Sequence, residues 1–168
     1  MKPVILASIA LASIGAAVVS TSVIAPRVHA QVVDSSIVIR MRDAVVLRAI
    51  VMRPAAAGRF PTLVYRTPYG AASAVRDYVI FAKAVARGYA VVVQDVRGRY
   101  RSDGRFDPYR QEGLDGYDTI EWAAAQPWSN GKVGTFGLSY PGAVQWLAAV
   151  ESPPHLSLIH ISEPTRPY

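Results

Sequence analysis

The sequence predicts an α/β fold built on a mainly parallel sheet, and three observations carry that prediction. From Gln31 to His155, segments rich in β-branched residues alternate with segments of helical period. Tyr89–Asp95 is a nearly continuous apolar run, the pattern of a parallel strand covered on both faces. The two leading strand-like runs stand only two residues apart, which suits an antiparallel hairpin.

The elements follow in order. Ser36–Met41 and Ala44–Met52 form the hairpin around Arg42-Asp43, and Pro54–Gly58 is a loop. Thr62–Arg66 is a third strand, ended by Thr67-Pro68-Tyr69-Gly70. Val75–Arg87 places apolar side chains at Val75, Val79, Ala82 and Val85-Ala86, close to helical spacing, with Gly88 as its C-terminal stop. After the Tyr89–Asp95 strand, a polar loop rich in Gly and Arg runs to about Gln111. Tyr117–Ala125 is a helix closed off by Pro127, Lys132–Phe136 a short strand, and Gly142–Val150 a helix. Strand and helix in alternation imply a parallel sheet built by right-handed crossovers.

The two ends of the chain read differently. Lys2 precedes an apolar stretch, Val4–Val19, and Val28-His29-Ala30 puts small residues at the two positions a signal peptidase reads. Residues 1–30 are therefore expected to be an export signal, with Gln31 as the new N-terminus in the periplasm or outside the cell. The apolar core is short for a membrane anchor, which needs about 20 residues. At the other end, the codons back-translated from Leu156–Arg166 resemble the adapter of transposase-based sequencing libraries. Pro164 and Pro167 interrupt that segment and its apolar residues keep no sustained period. Residues 156–168 are accordingly expected to be non-native and to form no element, and His160 is set aside as a site residue. The native domain segment is then 31–155.

Composition narrows the function classes. About half of the 168 residues are hydrophobic, so the chain can bury a core and is not a disordered segment. With no cysteine, disulfides, thiolate zinc sites and a Cys nucleophile are excluded. The net charge of +6 falls once Lys2, Arg27, Glu163 and Arg166 are set aside, and the remaining arginines are spread out apart from Arg97, Arg99, Arg101 and Arg105. No nucleic-acid partner, no metal and no cofactor are expected, and no membrane association after signal cleavage.

One motif carries chemistry. Gly137-Leu138-Ser139-Tyr140-Pro141-Gly142 holds G-x-S-x-G between a short strand and a helix. A turn that tight forces the central serine into a strained conformation and projects its oxygen outward. Gly137 and Gly142 flank it where side chains would collide with neighbouring elements. The alternative is a structural Gly-Ser-Gly turn, which the order of elements disfavours. Ser139 is thus the candidate nucleophile, and the Tyr140 N–H one half of an oxyanion hole. Pro141 suits the first helical turn. The second donor should come from the loop after the third strand, where Tyr69 is either that donor or a tyrosine packed at a strand end. With the leading hairpin, this order of elements points to an α/β-hydrolase fold, of which the chain holds only the N-terminal part of the mainly parallel sheet. A dinucleotide fold is excluded because Arg66-Thr67-Pro68-Tyr69-Gly70 is no Gly-rich turn.

The chain resembles the cocaine-esterase/NonD (CocE/NonD) hydrolases, relatives of the X-Pro dipeptidyl-peptidases and α-amino-acid ester hydrolases. The resemblance runs from about Ile37 to His155 and includes Arg66–Tyr69, Gly88–Gly98, Ser102-Asp103-Gly104, Asp118–Trp122, Gly137–Gly142 and Gln145-Trp146. It implies an acyl-enzyme on Ser139, with the Tyr69 hydroxyl and the Tyr140 amide holding the oxyanion. It also marks Asp95 and Arg97, which are expected to organise the cleft edge rather than perform chemistry. The implied substrates are small esters, amides or short peptides. In this fold the orienting Asp or Glu and the His base follow the nucleophile in chain order. After Ser139 the sequence offers only His155 and His160, neither after a later strand, and Glu151 reads as solvated. The triad is therefore expected to be incomplete, the sheet edge beside the nucleophile strand open, and the expressed chain inactive. A non-catalytic exported ligand-binding module is the competing reading.

Overall fold

A computed structural model describes residues 31–161. The expected export signal, and the part of the expected non-native tail from 162 onward, lie outside the described residues. Ten elements follow in order: β1 (Gln31–Arg40), β2 (Val46–Pro54), β3 (Phe60–Thr67), α1 (Ala71–Asp77), α2 (Val79–Ala86), β4 (Ala90–Asp95), α3 (Glu112–Ala124), β5 (Ser129–Gly137), α4 (Tyr140–Val150) and β6 (Leu156–Ile161).

The strands form one sheet in the order β1-β2-β4-β3-β5-β6. The β1–β2 hairpin is antiparallel, and β2 also lies antiparallel to β4. The β3–β4, β3–β5 and β5–β6 pairs are parallel. Asp118 on α3 fastens the hairpin turn, since its carboxylate accepts from the Arg42 backbone N–H at 2.8 Å and from the guanidinium at 2.7 Å.

Period-2 alternation divides the core between two faces. On β2, Ala49 and Val51 join Val64, Val92 and Val133 beneath Ile120 and Ala123 of α3 and Ala148 of α4. Ile50 and Met52 face the other way, with Tyr65, Val91 and Val93, against Ala71 and Ala74 of α1 and Phe81, Ala84 and Val85 of α2. Every residue of β4 is buried, as a strand covered on both faces requires.

Three expectations need correction. The single helix over Val75–Arg87 is two, α1 and α2, broken at Tyr78, whose backbone is extended (φ −105°, ψ 99°). That break lets the Tyr78 ring pack edge-on against Tyr65 and Phe81, at centroid distances of 6.2 and 6.0 Å. The helix expected from Tyr117 begins at Glu112. Gly113 and Gly116 weaken its intrinsic propensity, but Glu112 and Asp115 are buried there as partners of cations. Finally, residues after His155 do form an element: Leu156–Ile161 is a strand on the β5 edge, so that edge is covered. Alternation of apolar residues beside an open parallel edge is sufficient for pairing, even though the segment lacks a longer period.

Gly116 marks the closest approach of α3 to α4. A Cβ there would stand 2.5 Å from the Ala148 Cβ and 3.1 Å from Arg66 Nη1. Gly116→Ala should therefore lower stability by about 1–3 kcal/mol through overpacking, read as a fall in the urea unfolding midpoint without change in slope.

Candidate active site

The strand order reverses at β3: the chain leaves it for β4 on one side and then crosses to β5 on the other. The C-terminal ends of β3 and β5 therefore open a crevice at a topological switch point, where ligands of open α/β sheets bind. The loop carrying Tyr69 follows β3, and Ser139 follows β5, so the two sequence-assigned residues converge there.

Ser139 sits between β5 and α4 with φ 62° and ψ −126°, a left-handed conformation that non-glycine residues rarely hold. Its carbonyl accepts from the Gly142 and Ala143 N–H groups at 2.9 Å each, while its hydroxyl makes no capping bond to the helix. Gly137 is required by two effects together. Its φ is 148°, and a Cβ would fall 2.5 Å from the Pro141 Cβ. Gly142 is buried in the first turn of α4, where Pro141 sits without needing a donor.

Tyr140 is the first residue of α4, where its N–H has no carbonyl within the helix to bond. Its side chain turns inward. The hydroxyl donates to Glu112 Oε1 at 2.8 Å, and the ring stacks on Tyr109 at 4.7 Å between centroids. Burial, then the Glu112 carboxylate, push the phenol well above its ordinary range, so it stays protonated.

Tyr69 is 55% exposed, and its backbone N–H donates to Thr67 Oγ1 at 3.1 Å. Together with Ser139 it lines a cleft of about 520 Å³ whose other walls are Tyr65, Tyr78, Ile80, Phe136, Leu138 and His160. Among the described residues no carboxylate lines this cleft. Tyr65 beneath it is pushed up to about 12, chiefly by burial.

Asp95 and Arg97, expected at the cleft edge, are not among the residues that line this cleft. Asp95 Oδ1 accepts from the Ala71 N–H at 2.6 Å, fastening the start of α1 to the end of β4. Arg97 bridges Asp115 at 2.6 Å and Asp43 at 2.7 Å. That guanidinium holds the Asp43 carboxyl below its ordinary value.

Sequence reasoning missed the buried group that joins these parts. Arg66 near the end of β3 donates from Nε to Gln94 Oε1 at 2.7 Å and from Nη1 to the Glu112 carbonyl at 2.8 Å. Its Nη2 stands 2.8 Å from Glu112 Oε2, an ionic contact off the line of a hydrogen bond. Glu112 and Asp115 lie within a stretch read as loop and helix approach, and only their i, i+3 spacing signalled a shared face. His155 is engaged elsewhere, with Nδ1 2.7 Å from Glu121 Oε2. His160 lies on β6 at the cleft wall, so the residue set aside from the sequence lines the same cleft as Ser139.

Strain at Ser139 gives a direct test. Ser139→Gly should raise stability by about 1 kcal/mol by relieving the positive φ, whereas Ser139→Ala should not, both read from urea unfolding.

Comparison with known proteins places this geometry. A family model described as X-Pro dipeptidyl-peptidase (S15 family) matches residues 43–166. The chain is 40% identical over 127 residues to a cocaine esterase of Rhodococcus sp. (strain MB1 Bresler), which covers 70% of this chain and 21% of the esterase. A crystal structure of a CocE/NonD family hydrolase from Staphylococcus aureus superposes with a TM-score of 0.71 at 30% identity, over 77% of this chain and 27% of that one. An α-amino-acid ester hydrolase superposes with a TM-score of 0.70 at 30% identity, over 82% and 26%. The chain thus spans between 21% and 27% of the length of these relatives. The chain belongs to the X-Pro dipeptidyl-peptidase (S15) family, among its CocE/NonD-type members.

Proposed function

We propose that Ser139 is the nucleophile of a hydrolase of carboxylic esters or amides. The observation that carries this reading is its strained backbone at the strand–helix junction, with a hydroxyl free of capping duty beside a cleft shared with Tyr69. Ser139 Oγ attacks the substrate carbonyl carbon, and the carbonyl oxygen becomes an oxyanion bonded by the Tyr140 N–H and the Tyr69 hydroxyl. Collapse expels the alcohol or amine and leaves an ester on Ser139, which water then hydrolyses. Gly137 and Gly142 hold the turn, and no metal or cofactor enters these steps.

Both half-reactions need a base. Among the described residues His155 is committed to Glu121, and no histidine hydrogen-bonds the Ser139 hydroxyl. We place the His and its orienting carboxylate outside residues 31–161, in line with their chain order in this fold. Release of X-Pro dipeptides is the second reading, favoured by the description of the matching family model. It requires an anionic partner for a free amino terminus, which we place, like the base, outside residues 31–161. Export through residues 1–30 remains part of the proposal, supported by Lys2, the apolar stretch and Val28-His29-Ala30.

The 168-residue chain is expected to show no p-nitrophenyl ester turnover, and turnover abolished by Ser139→Ala would place the base within it. In the product of a longer reading frame that contains residues 31–155, Ser139→Ala should lower kcat on the order of 10⁶-fold. Tyr69→Phe should lower it about 10²-fold there. An undiminished kcat in Ser139→Ala would overturn the nucleophile. N-terminal sequencing of the secreted protein should begin at Gln31, and an intact Met1 would refute cleavage.

A further inference from the structure

The two groups proposed to hold the oxyanion come from different elements, yet one buried ion pair reaches toward both. Arg66 lies in the last turn of chain before the Tyr69 loop, as the penultimate residue of β3. Glu112 opens α3 and accepts the Tyr140 hydroxyl at 2.8 Å. Arg66 meets Glu112 twice, at its carbonyl and at its carboxylate, each at 2.8 Å. Both side chains are almost wholly buried, at 4% exposure.

The Tyr140 N–H belongs to the Ser139–Tyr140 peptide. Its direction is set by ψ of Ser139, which is held at −126° in a strained residue. Such a conformation persists only where the surroundings over-determine it. The carbonyl end of this peptide is held by the Gly142 and Ala143 N–H groups. Its other end is the Tyr140 Cα, whose side chain has only two torsions between backbone and ring. Anchoring the ring on Tyr109 and the hydroxyl on Glu112 therefore removes the remaining freedom of the Tyr140 backbone. A phenylalanine would fill the same space without the second anchor.

We propose that Glu112 is a positioning residue for the oxyanion hole: through the Tyr140 hydroxyl it aims the Tyr140 N–H, and through Arg66 it fixes that N–H relative to the Tyr69 loop. The inference rests on the acyl-Ser139 reading. It explains why a carboxylate and a guanidinium are buried at this seam, where a pair of apolar residues would pack at least as stably.

Phenylboronic acid tests it without needing turnover, on the product of the longer reading frame that contains residues 31–155 and supplies the proposed base. A lone pair of Ser139 Oγ forms a B–O bond, boron passes from trigonal to tetrahedral, and the serine proton passes to the proposed base. No bond to a leaving group breaks and nothing is oxidised. One boron-bound oxygen then occupies the position of the oxyanion. Affinity is read by ¹¹B NMR titration and hole occupancy by the shift of the Tyr140 amide proton. Tyr140→Phe and Glu112→Gln are each expected to weaken the adduct about tenfold, the worth of one charge-assisted hydrogen bond, and to shrink the amide shift at residue 140. Ile39→Val, a core truncation on β1 away from the site, is the control for stability and should leave the affinity unchanged. Parent-like affinity in a folded Tyr140→Phe, or an equal loss in Ile39→Val, would overturn the positioning role. Parent-like affinity in Ser139→Ala, or no adduct with the parent chain, would instead remove the nucleophile reading, and this one with it.

Discussion

The contact between Arg66 and Glu112 lies where β3, α3 and α4 meet, and the arrangement around it follows from the need to satisfy two buried charges. Removing either partner would strand the other, at about 3–5 kcal/mol for such pairs. Two nitrogens of the guanidinium donate hydrogen bonds, Nε to Gln94 and Nη1 to the Glu112 carbonyl, while Nη2 faces the Glu112 carboxylate by charge alone. Asp115 stands 4.0 Å from the same Nη2 and is bound more closely by Arg97, which reaches on to Asp43 in the hairpin turn. Space for Arg66 depends on Gly116, where a Cβ would intrude on Nη1. A glycine that weakens the helix is therefore tolerated because it admits the charge that anchors the helix.

The same seam bears on the turn at Ser139. Ser139 is held in a conformation that the isolated chain would leave, and the groups that hold it come from both sides of the turn. Pro141 packs where a Gly137 side chain would lie, the first turn of α4 takes the Ser139 carbonyl, and Glu112 takes the Tyr140 hydroxyl. Strain concentrated at one residue and restrained by buried polar contacts is a pattern of functional sites. Here it coincides with the point where strand order reverses, so the crevice and the strained Ser139 share one topological cause.

Much of this was legible in the sequence because it depends on local rules. A two-residue separation reported the hairpin, an unbroken valine run reported β4, and glycines around Ser139 reported the strained turn. What was not legible depends on neighbours distant in sequence. Tyr78 breaks a helix whose spacing looked continuous, because its ring packs against Tyr65. Glu112 and Asp115 extend α3 backward past Gly113 and Gly116, because their partners Arg66 and Arg97 come from other elements. Leu156–Ile161 becomes a strand only because the edge of β5 is free to receive it.

The sequence alone therefore determined the fold class, the strained turn at Ser139 and the loop that carries Tyr69, since periodicity and backbone conformation are encoded residue by residue. Tertiary structure decided which charges are buried together, how the Tyr140 side chain is held, and that Tyr69 and Ser139 share one cleft. Those outcomes depend on desolvation and on distances between elements, and neither quantity is written along the chain.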